Sequence, residues 1–159
     1  MEINKITKLI LSVIICQLAG IIGSFFTSPS IQTWYAILKK PFFNPPNWVF
    51  APVWTTLFLL MGISLYLVWS RGIKTKKSKI AFTFFAVQLI LNILWSVIFF
   101  GLKSPFYAFI EIIFLWAAIL LTIFAFYRIS KTAAYLLVPY IIWVSFAAML
   151  NFSIFIINL

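Results

Sequence analysis

The chain has 159 residues, 65% of them hydrophobic and 9% charged, where an average soluble domain has about 45–50% apolar and roughly 25% charged residues. That balance excludes an ordinary water-soluble globule. The net charge is +10 with no histidine, which leaves no imidazole for haem ligation or for proton shuttling at neutral pH, and the lone Cys16 excludes an intrachain disulfide and a thiolate metal cluster.

Five apolar stretches are long enough to cross a bilayer, which takes about 18–20 residues: 6–26, 47–70, 79–102, 105–128 and 132–158. None shows the period-two alternation of barrel strands, so the expected fold is an all-α membrane protein, one domain of five transmembrane helices. The first stretch follows Lys5 and Lys8 as a signal peptide would, but it lacks a small-x-small cleavage site and reads as a retained helix. Residues 27–46 form the one connector with its own composition. Pro29, Pro41, Pro45 and Pro46 break helical continuity because each lacks a donor and restricts its predecessor. Within it Ile31, Trp34, Tyr35 and Leu38 fall at i, i+3, i+4 and i+7, the spacing of a short interfacial helix. Pro46 marks the start of the second span, and Pro52 and Pro139 inside the second and fifth spans are expected to kink them and open room between helices.

The twelve basic residues sit at span ends, so they report orientation rather than nucleic-acid binding. Lys5, Lys8, Arg71, Lys74, Lys76, Lys77, Lys79, Arg128 and Lys131 fall on one side; Lys39, Lys40 and Lys103 fall on the other. The positive-inside rule then places the N-terminus in the cytoplasm and the C-terminus outside a bacterial plasma membrane.

Polar residues inside spans are costly and need a reason. In the third span Gln88, Asn92, Trp95 and Phe99 share a face; in the second, Trp54, Phe58, Met61, Leu65 and Trp69; in the fifth, Pro139, Trp143, Ala147 and Asn151. Turned inward, these faces make an aromatic box in which Asn92 and the indole N–H groups of Trp54 and Trp143 orient a flat conjugated ligand. Turned to other uses, the amides are interhelical glue and the aromatics packing or interfacial belt, as Trp48 and Trp69 near span ends suggest. Glu111 is one of two acids, with Glu2. A carboxyl in hydrocarbon needs a proton or a hydrogen-bond partner, and with no second titratable group evident beside it a structural hydrogen bond is expected in preference to a proton relay. Ala19 with Gly23 and Gly20 with Ser24 have the spacing that seats helices closely, either between two copies or within one.

In order, "WYAILKKPFFNPPNWVFAPVWTTLFLLMGISLYLVW" (34–69), "QLILNILWSVIFF" (88–100), "AFIEIIFLW" (108–116) and "LLVPYIIWVSFAAMLN" (136–151) resemble the translocator protein family, TspO/MBR, the tryptophan-rich sensory proteins also called peripheral-type benzodiazepine receptors. The resemblance implies a five-helix bundle, a homodimer in membrane lipid, with a pocket for porphyrins such as protoporphyrin IX and for isoquinoline carboxamides. The proline-rich connector resembles the family's lid. By position Trp54, Asn92 and Trp143 resemble ligand-contacting residues, with Tyr35, Phe58, Trp95 and Ala147 as pocket wall. The resemblance also implies that Trp54 and Trp143 take part in light-dependent porphyrin degradation, a chemistry needing no resident cofactor or metal. Sterol is doubtful, because no basic residue follows Tyr140; Leu121, Tyr127 and Lys131 fit the sterol pattern only formally. Lys39 and Lys40 either meet porphyrin propionates or snorkel to the surface. Three functions remain open: tetrapyrrole sensing, handling or breakdown; transport of tetrapyrroles or other small hydrophobic molecules; and a ligand-modulated scaffold for a partner protein.

Overall fold

Four of the five spans begin on a side-chain cap, in a computed structural model that describes residues 4–159; Glu2 lies outside the described residues. Asn4 accepts from Thr7 N (2.7 Å), Thr75 from Ser78 N (3.1 Å), Ser104 from Tyr107 N and Ser130 from Ala133 N (both 3.4 Å). Each satisfies one of the N–H groups that a helix start leaves unpaired. The helices so begun are α1 (Lys5–Ile31), α4 (Lys76–Ser96), α5 (Pro105–Tyr127) and α6 (Lys131–Leu136). The second span, α3 (Asn47–Ser70), starts directly after Pro46. The remaining helices are α2 (Trp34–Ile37) and α7 (Val138–Ile157).

Among the described residues the secondary structure is helical, and five segments are long and apolar enough to cross a membrane. Helix α1 packs on α3 and α4, α4 on α5, α5 on α7, and α6 closes the ring against α3 and α5. One core runs through the bundle around Met61, Phe85, Leu115, Phe126 and Tyr140, with Phe85 stacked on Phe126 at 5.5 Å. A second, smaller core lies under the connector, formed by Tyr35, Phe99, Phe100, Leu150 and Ile154.

Three local features depart from the sequence expectation. Helix α1 does not stop at residue 26 but continues through Pro29 to Ile31. Hydroxyls hold this last turn despite the missing proline donor: Thr27 donates to Gly23 O (3.1 Å), Thr33 to Pro29 O (2.8 Å) and Ser30 to Phe100 O (2.9 Å). The third span ends in a π turn, Val97–Gly101. Within that wider turn Phe99 and the adjacent Phe100 are both buried. The fifth span is divided at Leu137, just before Pro139, so that its proline sits in the first turn of α7 where no donor is needed.

Gly20 and Gly23 of α1 seat it against other helices of the same chain, whereas Ser24 is exposed. A Cβ on Gly20 would lie 2.6 Å from Phe58 Cε2, and one on Gly23 would lie 3.1 Å from Ser96 Oγ. Lower down, a Cβ on Gly62 would lie 2.7 Å from Val13 Cα. Helix α1 therefore meets α3 and α4 at near-backbone distance, the close packing that small residues permit where no hydrophobic force separates helix from lipid.

Candidate functional site

A cavity of about 340 Å³ lies in the connector-side half of the bundle, within the size range of small-molecule sites. Its wall is shared by α1, α3, α4, α5 and α7, with Tyr35 of α2 and the π turn above. All seven residues expected at a ligand site line it: Tyr35, Trp54, Phe58, Asn92, Trp95, Trp143 and Ala147. Lys39 and Lys40 do not. Lys40 Nζ instead lies 4.7 Å from the Tyr35 ring centroid and donates to Leu38 O at 3.2 Å.

The aromatic wall is pre-assembled. Trp95 stacks on Phe99 at 5.0 Å, Trp54 leans on Phe58 at 5.7 Å and stands edge-on to Tyr140 at 6.3 Å, and Trp143 packs between Phe50 (6.2 Å) and Phe146 (5.4 Å). Such ring contacts hold indoles in place at little entropic cost, since each ring carries only two torsions. Trp95 is further fixed by its Nε1, which donates to Asn151 Oδ1 (3.0 Å), while Asn151 Nδ2 donates to Pro105 O (2.7 Å). Asn151, expected on the inward stripe, thus orients an indole and ties α7 to the start of α5.

Asn92 spends one of its two amide N–H groups inside the bundle: Nδ2 donates to Tyr140 Oη (2.8 Å), which donates to Gln88 Oε1 (3.0 Å). Its Oδ1 is left as an acceptor. Glu111 does not form the expected structural hydrogen bond, for both its carboxyl oxygens are buried without a partner among the described residues. It lies outside the cavity wall, although its neighbours Ile112 and Leu115 are part of it. Trp143 Nε1 is also buried and unpartnered among the described residues, and this one belongs to a cavity-lining residue. A buried donor without an acceptor costs about 1–3 kcal/mol.

The connector is clamped over the cavity by contacts that no spacing rule reveals. Tyr35 is buried against Phe99 and Phe100 (centroids 6.2 and 5.8 Å) and donates to Asn44 Oδ1 (2.7 Å). Burial pushes its hydroxyl up to about 12, against the lowering effect of that hydrogen bond, so it stays a neutral donor. Phe43 packs on Phe146 at 6.3 Å. Asn158, at the end of α7, takes Lys39 in a two-point grip, accepting from Lys39 N (3.0 Å) and donating to Lys39 O (2.9 Å). To the side the wall includes Ile21 and Ser24 of α1 and Ala51 and Thr55 of α3, all exposed on the outer surface. The cavity therefore opens laterally between α1 and α3, above a cross-link in which Gln17 Nε2 donates to Thr55 O (3.1 Å).

The model of the TspO/MBR family matches residues 12–157. The chain belongs to the TspO/MBR family. Its relatives include the tryptophan-rich protein TspO of Archaeoglobus fulgidus, 49% identical over 154 residues that cover 97% of this chain and 99% of that one. The protein of the same name from Chlorobaculum tepidum is 46% identical and covers 98% of each chain. The translocator protein of Homo sapiens is 38% identical over 139 residues, 87% of this chain and 82% of its own. With the five spans, TspO/MBR membership makes this a multi-pass membrane protein.

Proposed function

We propose that this TspO/MBR protein binds a porphyrin, or a similarly flat and conjugated hydrophobic molecule, in the aromatic cavity, and serves tetrapyrrole sensing, handling or light-dependent breakdown. The observation that carries the reading is the convergence of Trp54, Trp95 and Trp143 on one cavity. Indole faces supply stacking area for a planar ring system. The Asn92 carbonyl accepts from a pyrrole N–H, and the Trp143 N–H donates to an acceptor on the ligand rim. A lateral mouth between α1 and α3 admits a molecule already dissolved in the bilayer.

The test is a titration of intrinsic tryptophan fluorescence with protoporphyrin in detergent, on wild type and on Trp54→Phe, Asn92→Ala and Trp143→Phe. Each variant removes one contact, and loss of one net hydrogen bond weakens affinity by about 0.5–1.5 kcal/mol. Unchanged affinity in all three variants refutes the assignment of the cavity. Illumination of the complex separates breakdown from simple binding: breakdown gives new absorbing products with wild type and fewer with Trp143→Phe.

A further inference from the structure

Toward the α3–α4 loop a second and more open hollow of about 620 Å³ lies between α1, α3 and α4. Its floor is apolar: Ile15 from α1, Leu65 and Trp69 from α3, and Phe82, Phe85 and Leu89 from α4. At its loop end stands one cation, Lys79, exposed, whose backbone carbonyl is taken by the Thr83 hydroxyl at 3.0 Å. Around that end the loop and the start of α4 carry Arg71, Lys74, Lys76 and Lys77, all exposed. No carboxylate stands in this loop, and the single acid among the described residues, Glu111, is buried on α5. A furrow with an acyl-sized apolar floor, an indole near the polar boundary and a cluster of cations at one end has the charge and polarity profile of a phospholipid lying along the bilayer normal, tail on the floor and phosphate at the rim.

We propose that this furrow is a binding site for one anionic phospholipid of the leaflet facing the α3–α4 loop, with an acyl chain along Leu65, Phe82 and Leu89 and the headgroup phosphate on Lys79. Charge complementarity selects the occupant. A zwitterionic lipid fills the floor equally well but brings its own cation to a rim that already has five, whereas an anionic headgroup offsets them. Juxtamembrane basic residues attract such lipids several-fold each, and here the apolar floor converts a diffuse attraction into a seat. The inference is independent of what the aromatic cavity holds, because the two hollows share no lining residue.

Trp69 sits in the furrow and reports its occupant. The protein is reconstituted into phosphatidylcholine vesicles containing a minor fraction of either brominated phosphatidylglycerol or brominated phosphatidylcholine, whose bromines quench indoles only at contact. The Trp69 contribution is the difference between wild type and Trp69→Phe. Expected is stronger quenching by the brominated phosphatidylglycerol, with the preference for it falling about fivefold in Lys79→Gln, the share of one basic residue. Ala86→Phe fills the floor from an exposed position and leaves every loop cation in place; it is expected to abolish the preference. Equal quenching by the two lipids in wild type overturns the proposal. A preference that survives Ala86→Phe also overturns it, since the basic loop would then be acting as a charged surface without a seat.

Discussion

Replacing Gly20 by alanine separates the cavity from the stability of the bundle. The new methyl carbon would stand 2.6 and 2.7 Å from Phe58 Cε2 and Cδ2, so the ring must retreat by about 1 Å to reach the ~3.5–4.0 Å of ordinary carbon contact. Phe58 is buried, with Trp54 on one flank and the cavity before it. The ring lines the cavity and can yield into it. In a solidly packed core, overpacking costs about 1–3 kcal/mol; here the unliganded protein relieves most of that strain by yielding cavity space, and the cost reappears when a ligand needs the space back. We therefore expect a small change in thermal midpoint and a loss of protoporphyrin affinity of about 1–2 kcal/mol, roughly five- to thirtyfold. Fluorescence titration measures the second quantity and thermal unfolding in the same detergent the first. Gly20→Ala combined with Phe58→Leu, which removes the ring, is expected to recover most of the affinity. A variant that loses stability while binding as tightly as wild type would refute the reasoning, because the ring would then have moved away from the cavity.

Three further substitutions test other parts of the structure. Tyr140→Phe removes the hydroxyl between Asn92 and Gln88 and leaves a donor and an acceptor buried, at about 1–3 kcal/mol for each orphaned group; thermal or denaturant unfolding should show the loss even without ligand. Asn158→Ala deletes both hydrogen bonds to Lys39, worth about 0.5–1.5 kcal/mol each. Limited trypsin digestion should then cut after Lys39 faster, and a bound ligand should leave sooner. Gly62→Ala brings a methyl to 2.7 Å from Val13 Cα, where backbone must shift, so the whole bundle should lose about 1–3 kcal/mol or more while Gly20→Ala loses much less.

The spans and the inward faces were legible because helical spacing survives in membrane segments wherever polar or aromatic residues mark one side. Trp54 and Phe58, Asn92 and Trp95, and Trp143 and Ala147 each lie three or four residues apart, and each pair meets on the wall. The π turn was not legible: "VIFFG" is apolar all round, and nothing in it signals a change of helical pitch. Nor was the role of Tyr140, which bridges two amides from 48 and 52 residues away. The grip of Asn158 on Lys39 spans 119 residues and joins a helix end to a loop, where periodicity has nothing to report. The hydrogen bond from Asn92 to Tyr140 was hidden for the same reason, since the partner sits on another helix.

Asn158 lies one position before the last residue of this sequence, so whatever is fused after Leu159 begins beside the strap that covers the aromatic cavity. A bulky reporter or an immobilising tag placed there would compete with the backbone of Lys39 for the same few ångströms. Kinetic measurements on such a fusion would describe a protein with its cover partly unfastened.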